Sequence, residues 1–123
     1  MAAKILIVDD EPDLVATCAR LLGRAGFRCL AAHSGADAIA LIDAEHPGLV
    51  VTDLRLPHAD GLAVTRHARQ SSPPVPVVLI TAYASSDARQ KAAEAGAAVF
   101  LRKPFGTGEF LDAVRRGLAS VSP

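Results

Sequence analysis

Reactive side chains follow four short apolar runs in this chain. They are Asp9 and Asp10 after ILIV, Asp53 after VVT, Thr81 after VVLI and Lys103 after VFLR. If the runs are parallel strands, their carboxyl ends lie along one edge of a sheet, where ligands bind in such folds. Three carboxylates, a hydroxyl and an ammonium would then meet. That set suits a divalent cation bound beside a carboxylate that accepts a phosphoryl group.

The acids at positions 9 and 10 have the chemistry of a magnesium site. Mg²⁺ prefers octahedral oxygen coordination and is usually held by one or two carboxylates plus phosphate oxygens. One of the pair could cap the helix that follows, but capping accounts for one acid and not for two. Asp53 could be only a turn residue. Packed against Asp9 and Asp10 beside a cation, however, it keeps an oxygen free to attack phosphorus.

Lys103 and Thr81 could each have an ordinary structural role instead of a role in the site. Lys103 could be a solvated surface group, and Thr81 could cap a turn. Lys103 precedes Pro104, and X–Pro bonds are the ones that can be cis. A cis bond would point the ammonium over the crevice, where it pairs with Asp53 or its phosphate. The Thr81 hydroxyl could bond a phosphoryl oxygen. The order of these residues along the chain favours a shared site.

Alternating strand and helix patterns must position these residues. Continuous apolar runs predict five buried strands, at residues 4–8, 27–32, 49–52, 77–80 and 98–102. Helical spacing, caps and stops predict five helices, from Pro12 to a stop at Gly26, from Ser34 to about 46–47, over 62–70, over 86–95, and from Thr107 or Gly108 onward. Such units fold as a parallel sheet covered by helices and joined by right-handed crossovers.

Length and composition restrict the function classes. The chain has 123 residues, of which half are hydrophobic, so it can form one domain with one core. Its 13 basic and 13 acidic residues cancel, which disfavours a surface for nucleic-acid phosphates. No run reads as a signal peptide or membrane span, and we expect a cytoplasmic protein. Cys18 and Cys29 match no metal or redox spacing and are expected to be plain buried thiols.

The stretches ILIVDDEP, VVTDLRLPHADG, VVLITAYA and FLRKPF together resemble the receiver domain of two-component response regulators. The resemblance runs from residue 4 to about 119. It implies one receiver domain over residues 1–123, with 120–123 as a tail or the start of a linker. The implied fold is α/β, a flavodoxin-like doubly wound (βα)5 unit whose five-stranded parallel sheet has the strand order 2-1-3-4-5.

The resemblance also implies a metal site. Asp53 would be the phosphoacceptor and a ligand of Mg²⁺ or Mn²⁺, and Asp10 would be a direct ligand. Asp9 would be the second acid, often acting through water. The backbone carbonyl of Arg55 would supply another oxygen.

The same resemblance assigns phosphoryl binding to Thr81 and Lys103. Phe100 falls where the family carries a switch aromatic, although an apolar Phe in a strand is also an ordinary core residue. Phosphate on the acceptor would draw Thr81 inward and let Phe100 fill the space, which changes the surface of the fourth helix, fifth strand and fifth helix. Arg55 and Tyr83 occupy positions that tune phosphate lifetime in this family.

One loop departs from the family pattern. It carries His58 where a small residue is usual and Ala59 where a bulky apolar one is usual. His58 could titrate near the site, but we expect a solvent-exposed loop residue.

The implied function is a phosphorylation-controlled signalling switch. A histidine kinase or a phosphotransfer protein would supply the phosphate, and an output domain or protein would read the state. The resemblance also implies possible homodimerisation through the fourth helix, fifth strand and fifth helix. No direct binding of nucleic acid or membrane is expected.

Three other classes remain as alternatives. A receiver-like binding module would never be phosphorylated, which the complete residue set disfavours. A phosphohydrolase with an Asp nucleophile would carry a second acid two residues later, where Arg55 stands instead. A flavodoxin-like cofactor carrier would need a phosphate loop after the first strand, where acids stand. The switch is therefore expected to act on no external metabolite.

Overall fold

A parallel sheet of five strands forms the centre of the structure, a computed structural model that describes residues 3–56 and 59–120. The strands are β1 (Lys4–Val8), β2 (Arg28–Ala32), β3 (Leu49–Asp53), β4 (Val77–Thr81) and β5 (Val99–Arg102). The helices are α1 (Pro12–Arg24), α2 (Gly35–Glu45), α3 (Gly61–Gln70), α4 (Ser86–Ala95) and α5 (Thr107–Ala119). Between β3 and α3, Arg55–Leu56 pairs with Ala59–Asp60 in a short antiparallel ladder.

The sheet has the order β2-β1-β3-β4-β5, and every neighbouring pair is parallel. This confirms the predicted α/β class and strand order. Near the carboxyl ends, Asp53 pairs with Ile80 and Thr81 pairs with Arg102. The register therefore places the ends of β3, β4 and β5 side by side.

The strands divide the core into two layers because successive side chains point to opposite faces of a sheet. One layer, facing α2, α3 and α4, contains Leu6, Ile42, Val50, Val64, Leu79 and Ala92. The other, facing α1 and α5, contains Ile7, Leu22, Val51, Ile80, Phe110 and Val114. All five residues of β3 and all five of β4 are buried, as their continuous apolar runs predict.

The helix ends follow the local signals in the sequence. Ser34 caps α2, with its hydroxyl accepting from the Asp37 N–H at 3.2 Å, and α4 ends at Gly96, which has a φ of 99°. Neither Asp9 nor Asp10 caps α1, because Glu11 holds that position and makes no side-chain cap.

Three details differ from the sequence-based expectations. Phe27 lies before β2, because its N–H donates to the Leu22 carbonyl and closes the end of α1. Ala98 likewise precedes β5. Cys18 is buried as expected, but Cys29 is only half-buried because β2 is an edge strand. Burial raises the pKa of the Cys18 thiol to about 11.

No helix within residues 3–56 and 59–120 is long and apolar enough to cross a membrane.

Gly61 is required by a close approach at the end of β3. Its N–H donates to the Leu54 carbonyl at 2.7 Å, and a Cβ would overlap the Asp53 carbonyl and lie 2.9 Å from Leu54 Cα. We expect Gly61→Ala to destabilise the fold by about 1–3 kcal/mol, since backbone must shift to admit the methyl group. Urea unfolding measures this.

Gly23→Ala is the matched control, because a Cβ at this exposed position in α1 meets nothing within 4 Å. We expect it to stabilise the protein by about 0.5–1 kcal/mol. A Gly61→Ala protein as stable as the wild type would contradict the proposed close packing.

Candidate functional site

Lys103 lies between two buried carboxylates that come from different strands. Its Nζ is 2.6 Å from Asp53 Oδ2, at the end of β3, and 3.0 Å from Asp9 Oδ2, just past β1. Glu11 Oε1 lies 3.7 Å from the same nitrogen. The ends of β1, β3 and β5 are therefore joined through one ammonium group.

Each of the two carboxylates uses its oxygens in the same way. Asp9 Oδ1 accepts from the Glu11 N–H at 3.0 Å, and Asp53 Oδ1 accepts from the Arg55 N–H at 2.9 Å. In both cases the donor lies two residues further along the chain, so the turn after the strand fixes the carboxylate. The second oxygen of each is left for Lys103.

Burial decides the electrostatics of the site. The side chains of Asp9 and Asp53 are 3% and 11% exposed, and that of Lys103 is 15% exposed. Burial raises the pKa of Asp9, which the Glu11 N–H and Lys103 partly oppose. Burial alone would lower the pKa of Lys103, but its hydrogen bonds to Asp53 and Asp9 raise it above the usual range. The lysine is therefore held in its charged form.

A group of acidic oxygens lies beside this ion pair. One carboxylate oxygen from each of Asp9, Asp10 and Glu11 lies within 4.8 Å of the others, and only Asp9 of the three is buried. Oxygen donors open to water on one side fit Mg²⁺, which keeps several waters when bound. The sequence-based assignment missed Glu11. The available signal was an acid directly after the acidic pair.

Thr81 is fully buried at the end of β4. Its hydroxyl oxygen accepts from the Tyr83 N–H at 3.0 Å, and its carbonyl accepts from the Lys103 N–H at 2.8 Å. The peptide bond between Lys103 and Pro104 is cis. Thr81 and Lys103 are thus neighbours through the backbone as well as through the site.

A cavity of about 270 Å³ brings most of the predicted residues together. Its lining includes Asp10, Glu11, Asp53, Arg55, Thr81, Tyr83 and Lys103. Asp9 contacts the site through Lys103. His58 lies outside the described residues.

Arg55 and Tyr83 form the outer wall of this cavity. The Arg55 guanidinium carbon is 4.3 Å from the centre of the Tyr83 ring, and Tyr83 is 64% exposed. Both residues also line a neighbouring cavity of about 600 Å³ beside α4. The stacked pair therefore stands between the two cavities.

Phe100 lies further back on β5 and is half-buried rather than enclosed in the core. It packs against the layer that faces α2, α3 and α4, and the guanidinium carbon of Arg89 lies 4.8 Å from its ring centre. The ring of Phe100 therefore packs on the core and also lies under the exposed guanidinium of Arg89.

Comparison with known proteins gives a consistent result. Residues 5–115 match the family described as response regulator receiver domain. The response regulator protein PilR of Pseudomonas aeruginosa is 38% identical over 120 residues, which cover 98% of this chain and 27% of PilR. Response regulator MprA of Mycobacterium tuberculosis is 33% identical over 123 residues, which cover 100% of this chain and 54% of MprA.

Solved structures show the same fold. A CheY-like response regulator receiver domain protein from Methanospirillum hungatei has a TM-score of 0.92 at 25% identity, covering 98% of this chain and 96% of that one. A two-component response regulator of the LuxR family from Aurantimonas has a TM-score of 0.89 at 33% identity, covering 98% and 87%. The chain spans about a quarter of PilR and half of MprA.

Removing Lys103 should expose the repulsion that it now cancels. We expect Lys103→Met to destabilise the protein by about 2–4 kcal/mol at pH 7, because two buried carboxylates lose their cation. Without the lysine, the pKa of Asp9 rises further above its unfolded value, so the folded state binds a proton more tightly. The deficit should therefore shrink as the pH falls from 7 to 5, which urea unfolding at several pH values measures.

Lys91→Met is the matched control, because Lys91 pairs with Asp87 on the exposed surface of α4 at 3.2 Å. That loss should stay below about 1 kcal/mol. Equal losses in the two variants, or a Lys103→Met deficit that grows in acid, would contradict the role of the buried lysine.

Proposed function

The chain belongs to the response regulator receiver family of two-component systems, and from this premise we propose what its residues do. Residues 1–123 form one receiver domain, in which Asp53 accepts a phosphoryl group from a histidine kinase or a phosphotransfer protein. The observation that carries this proposal is the Asp53 carboxylate, held at the end of β3 between the Arg55 N–H and the Lys103 ammonium. The carboxylate is a fixed nucleophile with its counter-charge in place.

The transfer step follows from that geometry. A carboxylate oxygen of Asp53 forms a bond to phosphorus, while the bond from phosphorus to the donor nitrogen breaks and its electron pair stays on the donor. Asp9, Asp10 and Asp53 would hold Mg²⁺, or Mn²⁺, with the Arg55 carbonyl, and Glu11 adds a further acid nearby. The chemistry that such a cation would supply there is neutralisation of the charge on the phosphoryl oxygens. Lys103 then stays beside the new phosphate, and the Thr81 hydroxyl donates to one of its oxygens.

The phosphodonor would approach over α1 and the start of α5. A cavity of about 450 Å³ opens there, next to Lys103, and its walls are mostly apolar side chains such as Leu14, Leu21 and Phe105. An apolar surface beside the acceptor suits a protein donor, because the buried centre of a protein–protein interface is more apolar than the rest of the surface.

Phosphorylation would change the surface formed by α4, β5 and α5. In the present structure the Thr81 hydroxyl accepts from the Tyr83 N–H. When the hydroxyl turns to the phosphate, Phe100 moves into the space it leaves and separates from Arg89. An output domain or protein, or a second copy of the chain, reads the changed surface.

Several limits of the function follow from the same proposal. The domain turns over no external metabolite, and Arg55 stands where a phosphohydrolase of this kind needs an acid. The match covers only part of PilR and MprA, and in this proposal the output lies outside the receiver domain. The balanced charge of the chain fits a domain that binds neither nucleic acid nor membrane directly. We place the reaction in the cytoplasm, where the ATP that charges a histidine kinase is found.

Asp53 phosphorylation has a direct test. We expect the protein to gain one acid-stable, base-labile phosphate with Mg²⁺ and a small phosphodonor, as measured by intact mass. Asp53→Asn should abolish the gain, and Asp112→Asn, an exposed acid on α5, should leave it unchanged. An unmodified wild-type protein would favour the alternative of a binding module that is never phosphorylated.

Tyr83 should prolong the phosphorylated state, because its ring and Arg55 crowd the path of the attacking water. We expect Tyr83→Glu to lose phosphate about 2- to 5-fold faster, the range that one exposed cation–π contact corresponds to. The decay of phosphorylated protein after removal of the donor measures this. Tyr83→Phe keeps the ring face and should decay like the wild type. Equal or slower decay in Tyr83→Glu would contradict the proposal.

A further inference from the structure

His33 contacts the backbone of an acidic site residue from the neighbouring strand. The Cα pairing of β1 with β2 ends at Val8 and Ala32. One step further, the Asp9 N–H donates to the Ala32 carbonyl at 3.2 Å. The chain after β2 then turns away to the cap of α2 at Ser34, and the His33 ring nitrogen Nδ1 lies 3.2 Å from the Asp9 carbonyl oxygen.

This contact fixes the roles of the two atoms. A carbonyl oxygen only accepts, so Nδ1 carries the hydrogen and donates. The side chain thereby supplies a donor to Asp9 at the point where the backbone of β2 leaves the sheet. The His33 side chain thus adds one hydrogen bond beyond the last backbone bond between β1 and β2.

Asp9 is consequently held at four atoms. Its N–H, its carbonyl and its two carboxylate oxygens bond, in that order, to Ala32, His33, Glu11 and Lys103. The His33 bond differs from the other three because it is made by a side chain to the peptide group that leads into Asp10.

We propose that His33 is a positioning residue for the cation ligands of this site. The Asp9 carbonyl and the Asp10 N–H share one rigid peptide plane, so fixing the carbonyl fixes the direction in which the chain enters Asp10. Asp10 is exposed, so packing does little to orient its carboxylate. His33 presents Asp10 to the cation beside Asp9 without touching the cation itself. The inference rests on the proposed function, since it concerns the cation that assists phosphorylation.

The test compares Mg²⁺ affinity in three variants. His33→Asn keeps an N–H donor near the position of Nδ1, and His33→Leu removes it. His67→Leu is the matched control, because His67 pairs with Asp43 across α2 and α3. Calorimetric titration with Mg²⁺ gives the dissociation constant. Tyrosine fluorescence gives a second reading, since Tyr83 is the single tyrosine, lines the site cavity, and the chain has no tryptophan.

We expect His33→Leu to weaken Mg²⁺ binding about 3- to 10-fold, the range of one net hydrogen bond acting through a ligand. His33→Asn and His67→Leu should bind like the wild type. With a small phosphodonor, His33→Leu should need more Mg²⁺ for half-maximal rate and reach the same maximal rate, because Asp53 and Lys103 are unchanged. Thermal unfolding without Mg²⁺ verifies that each variant is folded.

The inference is overturned if His33→Leu binds Mg²⁺ as tightly as the wild type, or if His33→Asn is as weak as His33→Leu. It is also overturned if the wild type binds no Mg²⁺, because there is then no cation to position. A wild type that binds Mg²⁺ but takes up no phosphate refutes the proposed function instead. The affinities of the variants still decide the role of His33 in that case.

Discussion

The ion pair of Lys103 with Asp9 and Asp53 is the interaction on which the site depends. Two carboxylates that are almost fully buried would repel each other. One ammonium, 3.0 Å from Asp9 and 2.6 Å from Asp53, offsets that repulsion, and it partly opposes the rise that burial causes in the pKa of Asp9. Because the three residues lie at the ends of β1, β3 and β5, the same interaction holds these strand ends together on the side of the sheet where we propose the phosphoryl transfer.

The lysine also links Asp53, the proposed phosphoacceptor, to the part of the chain that would signal. Its backbone N–H donates to the carbonyl of Thr81, and Phe100 lies three residues before it on β5. A charge added at Asp53 would therefore act on Thr81 and on β5 through adjacent groups. No long pathway is needed, because the sheet register places the receiving residues beside the acceptor.

The sequence predicts the strand-end residues of this site better than the Arg55–Tyr83 stack at its rim. Continuous apolar runs determine the strands and their parallel order, so residues at the strand ends, such as Asp53 and Thr81, could be brought together without coordinates. The Arg55–Tyr83 stack could not be predicted, because it joins side chains from two separate loops whose relative position only the folded backbone sets. The exposure of Cys29 and the bond from His33 depend likewise on how β2 ends at the sheet edge.

This difference has a functional consequence. Strand ends are held by the sheet, so they suit groups whose distances must stay fixed, whereas loop side chains can vary without disturbing the core. Arg55 shows both behaviours in one residue: its N–H fixes the Asp53 carboxylate at 2.9 Å, and its guanidinium stacks on Tyr83 at the rim. Changing its side chain leaves the backbone donor in place. In the proposed function, the lifetime of the phosphate would therefore be adjusted through Arg55 and Tyr83, while the Asp53 carboxylate stays where the transfer requires it.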